Sequence, residues 1–194
     1  MQMPLSDTQA PGDAALLLAY GQGDLSAARL LTARLGPRIL GFATRMLHGD
    51  RAEAEDVTQE AMLRLWKIAP DWQEGQARVS TWLFRVTANL CLDRLRKSGR
   101  SVALDDTDEP ADDAPGALAG LETRQRLSAL DAALAALPDR QRQAVVLRHI
   151  EGLSNPEIAE VMDISSEAVE SLTARGKRAL AAGLAPRREE LGYD

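Results

Sequence analysis

A chain of 194 residues with 45% hydrophobic content and a net charge of −6 has the size and apolar fraction of one large folded domain or two small ones. No stretch approaches the roughly 18–20 apolar residues that cross a bilayer, and the start MQMPLSDTQAPGD lacks the basic and apolar regions of a signal peptide, which predicts a cytoplasmic protein without membrane insertion. The lone Cys91 excludes an internal disulfide. With His48 and His149 as the only histidines, and no glycine-rich phosphate loop or nucleophile–base pattern, the sequence predicts no metal, no cofactor and no enzyme.

From Asp13 onward apolar residues recur three and four apart, with breaks at Gly21 to Gly23 and at Gly36-Pro37, which predicts successive helices. No run of four to eight residues alternates with period two, so the fold class is all-α. In the helix predicted from about Glu53 to Ile68, one stripe of Ala54, Val57, Ala61, Leu65 and Ile68 suits burial. Asp56, Gln59, Glu60, Leu63 and Lys67 lie on another side, setting a leucine among acids and amides. That face reads either as a solvated surface with i, i+4 charge pairs or as a docking surface for a partner helix.

Next, PDWQEGQARVSTWLFRVTANLCLDRLRKSGR holds a loop with Trp72 and then a helix capped by Ser80. Trp82, Leu83, Val86, Leu90 and Leu95 supply its apolar side, whereas Arg85, Asn89, Arg96, Lys97 and Arg100 are polar and basic. Arginine and lysine suit phosphates and Asn89 suits a base edge, while an indole beside cations suits an unpaired base. A tryptophan at helical spacing also suits a core, and Trp82 is expected there. Trp72, in the loop, is placed to reach an unstacked base.

The acidic charge is concentrated in one place. Residues 1–100 carry a net +2, residues 101–120 a net −6 and residues 121–194 a net −2. SVALDDTDEPADDAPGALAG, with two prolines and two glycines and little to bury, predicts a flexible acidic linker. The chain therefore divides into an N-terminal helical domain (13–98), a linker (99–120) and a C-terminal domain (121–183).

After a helix predicted over Leu121 to Leu137, the C-terminal domain has the pattern of a helix-turn-helix. Pro138 is expected at N1 of one helix and Gly152 at its end; Ser154 or Asn155 caps PEIAEVM, with Pro156 at N1, and Asp163 closes it. Ile158, Ala159, Met162, Ile164, Val169 and Leu172 form a small core. The last helix, from Ser165 or Ser166, presents Glu167, Glu170, Ser171 and Thr173 early, and Arg175, Lys177 and Arg178 later. That is the order in which a recognition helix meets bases and then backbone.

Taken together, DVTQEAMLRLW, STWLFRVTANLCLDRLRK, the acidic linker and LPDRQRQAVVLRHIEGLSNPEIAEVMDISSEAVESLTARGKRAL resemble the extracytoplasmic-function sigma factors of bacterial RNA polymerase over residues 13–183. The resemblance implies a transcription initiation factor that binds polymerase core through its beta-prime and beta subunits and recognises promoter DNA. It also implies a cognate anti-sigma factor as partner. It places Asp56, Gln59, Glu60, Leu63 and Trp66 on the surface for the beta-prime coiled coil. Trp72, Ser80, Arg85, Asn89, Arg96 and Lys97 fall in the element that melts and reads the minus-ten region, with Asn89 lining the pocket for one flipped base. Ser165 to Arg178 would read the minus-thirty-five element.

Where many members carry basic residues on the recognition helix, this chain has Glu170 and Leu172. Glu170 suits either a cytosine amino group or a neighbouring cation. The modest charge of each domain implies weak DNA affinity for the free chain, so that binding depends on polymerase. The alternative is an autonomous helix-turn-helix regulator with an N-terminal sensing or dimerisation domain. That reading predicts an apolar pocket in place of an exposed Leu63 face.

Overall fold

The computed structural model describes residues 11–73, 75, 77–101 and 118–185, and these form helices without a strand among the described residues. The first unit holds α1 (Asp13–Gly21), α2 (Leu25–Met46), α3 (Arg51–Ile68), a 3-10 turn (Ala69–Asp71) and α4 (Val79–Ser101). The second holds α5 (Leu118–Ala135), α6 (Asp139–Val145), α7 (Asn155–Met162) and α8 (Ser166–Leu184). Both predicted ends of the acidic linker are shortened by helix, since α4 continues to Ser101 and α5 begins at Leu118; its remainder, 102–117, lies outside the described residues.

Carboxylate caps start two of the N-terminal helices. Asp24 accepts from the Ser26 N–H at 2.8 Å before α2, and Asp50 accepts from the Glu53 N–H at 3.0 Å before α3. The break expected at Gly36-Pro37 does not occur, because α2 runs through it as one helix. Pro37 forfeits one backbone hydrogen bond and costs about 3 kcal/mol. Leu31, Leu35, Ile39, Phe42 and Met46, on both sides of it, form one fully buried stripe, each worth about 1.5–3 kcal/mol, so packing outweighs the proline.

α4 starts at Val79, two residues earlier than a helix capped by Ser80, and the Arg78 carbonyl accepts from the Trp82 N–H at 3.0 Å, so Ser80 lies inside the helix rather than at its cap. Phe84 of α4 meets Phe42 of α2 edge to face at 5.4 Å between ring centroids, at the centre of the first unit.

In the second unit Pro138 is the N-cap residue of α6, not its first helical residue. α6 widens into a π-helical segment over Val146–Ile150, closed by the Glu151 N–H donating to the Val146 carbonyl at 3.0 Å. Gly152, at φ 73°, then reverses the chain toward α7. α8 lies so close to α6 that a Cβ on the buried Gly176 would stand 2.5 Å from Val145 Cγ2 and 3.2 Å from the Gln141 carbonyl oxygen.

The two units share one continuous hydrophobic core, with α4 against α7 and α2 against α5 and α6. No helix among the described residues is long and apolar enough to cross a membrane.

Candidate functional site

The buried stripe of α3 is Ala54, Val57, Ala61, Met62 and Leu65, which turns Asp56, Gln59 and Leu63 outward. Leu63 is 60% exposed. Glu60 is half-buried, held by Arg64 at 2.5 Å and Arg94 at 3.7 Å, so its carboxylate is oriented rather than free. Trp66 is half-buried and meets Tyr20 edge to face at 4.8 Å. The five sequence-derived positions thus form one surface: an exposed apolar tip, a fixed acid, two polar groups unpaired among the described residues and an anchored indole.

On α4 the helical period separates the expected DNA-facing residues. Arg85, Asn89 and Arg96 are exposed and spaced four and seven apart, so they share one side. Arg85, Asn89 and Lys97 are unpaired among the described residues, whereas Arg96 pairs with Asp93 at 3.3 Å. Ser80 is different. It falls three, four and seven residues before Leu83, Phe84 and Thr87, all buried, and is itself half-buried, so it sits on the core side of α4. Trp72 is packed edge-on against Trp82 with ring centroids 6.3 Å apart, and both indoles rest on the core while keeping partial exposure. Cys91 is enclosed on the core side, and burial pushes its thiol up to about 12, which leaves it inert.

The helix-turn-helix is built by local hydrogen bonds. The Ser154 N–H and hydroxyl donate to Glu157 at 2.8 and 2.6 Å in a capping box, and the hydrogen bond from Ser154 holds the Glu157 carboxyl below the usual carboxylate range. Asp163, left-handed at φ 53°, ends α7. Ser165 is the N-cap of α8, accepting from the Ala168 N–H at 3.2 Å, which leaves Ser166 and Glu167 in the first turn. Glu167, Glu170, Ser171, Arg175, Lys177 and Arg178 are exposed. Thr173 turns its hydroxyl inward, where the oxygen is enclosed without a partner among the described residues. Glu170 accepts from the Asn155 side chain at 3.2 Å, a partner on α7 in place of the neighbouring cation considered from sequence.

Sequence reasoning missed a set of residues that join the two units. Arg38 of α2 donates to the Glu151 carboxylate at 3.2 Å and to the Glu151 carbonyl at 2.9 Å. Arg142, 1% exposed, donates to the Met46 carbonyl at 3.2 Å, to Asp139 at 2.5 Å and to the Leu137 carbonyl at 3.3 Å. The same guanidinium lies 3.1 Å from both ring nitrogens of His48, and burial together with this cation pulls the His48 pKa down. Arg78 pairs with Glu157 at 2.9 Å and Arg45 with Asp131 at 3.3 Å. Burial raises the pKa of Glu151, against the pull of Arg38. Nothing in periodicity marks such contacts, because Arg38 and Glu151 are 113 residues apart. No group of three His, Cys, Asp or Glu residues able to hold a metal ion occurs among the described residues.

Residues 31–101 match the family model of sigma-70 region 2, and residues 127–180 that of sigma-70 region 4. The chain is 32% identical to the RNA polymerase sigma-H factor of Pseudomonas aeruginosa, over 90% of this chain and 94% of the relative. It is 35% identical to the ECF RNA polymerase sigma factor SigM of Mycobacterium tuberculosis, over 87% and 83% of the two chains. Among solved structures it is similar to CnrH, determined in complex with the cytosolic domain of CnrY, at 26% identity and a TM-score of 0.66, covering 90% of this chain and 97% of the other.

Proposed function

The chain belongs to the extracytoplasmic-function sigma factors of RNA polymerase, and from that premise we propose a division of labour among its surfaces. The α3 face of Asp56, Gln59, Glu60, Leu63 and Trp66 binds core polymerase. The observation that carries this reading is Leu63, a large apolar side chain 60% exposed beside an acid fixed by two arginines. A small desolvated contact ringed by oriented charge gives affinity and register together. The regulator alternative needs an apolar pocket where this exposed face stands.

The Trp72 loop and the Arg85, Asn89, Arg96 and Lys97 side of α4 hold the opened minus-ten strand. Flipping a base costs a few kcal/mol of unstacking, which stacking on an indole and an edge hydrogen bond from Asn89 offset. Ser80 supports this element from its core side. In α8, Ser166, Glu167, Glu170 and Ser171 face the minus-thirty-five bases, while Arg175, Lys177 and Arg178 hold phosphates. Ser165 fixes the start of that helix, and Thr173 packs beneath it. The first domain is taken to end with α4 at Ser101 and the second to begin with α5 at Leu118, three residues beyond each limit expected from sequence. The protein works in the cytoplasm as an initiation factor with no reaction of its own, and an anti-sigma factor covering the α3 face is its expected inhibitor.

Run-off transcription with purified core polymerase, on promoters enriched from the source genome, tests this function. Initiation that depends on the chain is the expected result. Absence of such initiation on every template overturns it.

A further inference from the structure

The cations of α8 do not all face the same way. Arg175 and Lys177 are two residues apart, about 200° around the helix, so one phosphate cannot take both. Gly176, between them, is buried against Gln141 and Val145 of α6, and the two cations leave this contact on opposite flanks. The Lys177 flank is the one that meets the end of α6, where its charge acts on His149. That end exposes what it carries. Arg142 to Leu147 are all buried, whereas Arg148, His149 and Ile150 are all exposed, and the change comes at the π-helical turn, which holds one residue more than an α-helical turn. Arg148 donates to the Leu153 carbonyl at 2.9 Å, which fixes it across the bend just before the Ser154 cap of α7. His149 and Lys177 have no hydrogen-bond or ion-pair partner among the described residues.

The acids of the surrounding elements are engaged elsewhere. Glu151 is held by Arg38, Asp139 by Arg142, Asp131 by Arg45, and Glu157 by Ser154 and Arg78. Glu160 of α7 shares a cleft with Arg148 and Arg78. The charges that act on the His149 ring are those of Lys177 and Arg148, and they add to burial in opposing its protonation. Resting on the sigma-factor reading, we propose that His149 is a further phosphate contact of the minus-thirty-five reader, gripping one DNA strand together with Lys177 and Arg148. The place suits backbone and not bases. Lys177 lies in the second half of α8, beyond the first turns that meet base edges, and the π-helical turn leads directly into α7, the helix that crosses the backbone. A phosphate beside the ring favours the charged form that burial and two cations oppose in the free chain. The complex therefore holds more of this proton than the free chain does, and promoter affinity rises as pH falls.

Holoenzyme reconstituted from core polymerase and the full-length chain, titrated by fluorescence anisotropy onto a labelled promoter duplex enriched from the source genome, tests this from about pH 8 to about pH 5.5. The unaltered chain is compared with His149→Gln and His149→Lys, substitutions at an exposed position outside the core. At the acid end the unaltered chain is expected to bind about fivefold tighter than His149→Gln, the worth of one exposed ion pair, and at the alkaline end equally. His149→Lys is expected to keep that advantage at both ends. The loss of affinity with added salt should steepen by about one charge at the acid end for the unaltered chain and not for His149→Gln. Parallel pH profiles for the unaltered chain and His149→Gln, or His149→Lys binding no tighter than His149→Gln at the alkaline end, overturn the contact. Absence of polymerase-dependent promoter binding by all three forms overturns the sigma-factor reading instead.

Discussion

The two halves of the molecule encode function in different ways. In the C-terminal half the shape of the reader is set by backbone devices: the Ser154–Glu157 capping box, the left-handed Asp163 and the Ser165 cap fix where α8 starts and how it leans on α7. In the N-terminal half the function proposed above rests on what is left uncovered, above all Leu63 on α3. A residue can therefore be indispensable in one half for stability and in the other for binding alone.

The sharpest break of that comparison is Leu63→Arg. A guanidinium in place of an exposed leucine is expected to weaken core polymerase binding roughly a hundredfold, about 3 kcal/mol, in a co-sedimentation or interferometry titration. Its thermal melt should match the unaltered chain, and a lowered melt would show that the face is also structural.

Gly176→Ala tests the opposite half. A methyl group 2.5 Å from Val145 Cγ2 forces α6 and α8 apart, and chemical denaturation should record a loss of about 1–3 kcal/mol with polymerase binding retained. Ser154→Ala removes one side of the capping box and should cost about 1 kcal/mol in the same measurement, again without touching the α3 surface.

The smallest effect is set by pH, and it falls where the halves meet. His48 has its folded pKa lowered below 6.5 by burial and Arg142, so the unfolded chain takes up the proton first as pH falls. Stability is therefore complete above pH 6.5 and declines as pH drops from there toward the folded pKa. His149, lowered by burial and by Lys177, adds in the same direction. Melting temperatures taken at decreasing pH from 7.5 should fall below pH 6.5, and His48→Gln should flatten part of the decline.

The helix-turn-helix was legible because its signals are local. Ser154, Pro156, Asp163 and Ser165 act within four residues of themselves, the range over which capping chemistry operates. The α3 face was legible as a choice between two readings, and the structure shows the features that both share, an exposed Leu63 and an i, i+4 pair between Glu60 and Arg64. Pro37 misled because local propensity marks a break, while the buried stripe from Leu31 to Met46 is a tertiary fact. Arg38 and Arg142 look in sequence like any surface arginine of an amphipathic helix. Only the approach of Glu151 and of the Met46 carbonyl gives them a role. Ser80 was misplaced by a shift of two residues in the start of α4, enough to turn it from cap to core side.

The edge-on pair of Trp72 and Trp82 has a practical consequence. Trp72 and Trp82 lie in the element assigned to the opened strand, while Trp66, the third tryptophan of the chain, sits on the α3 face against Tyr20. With Trp66 replaced by Phe, intrinsic tryptophan fluorescence of the chain watches that element alone. An indole leaving its neighbour to stack on a base is quenched, so such a variant reports the stacking of an added unpaired oligonucleotide without any label.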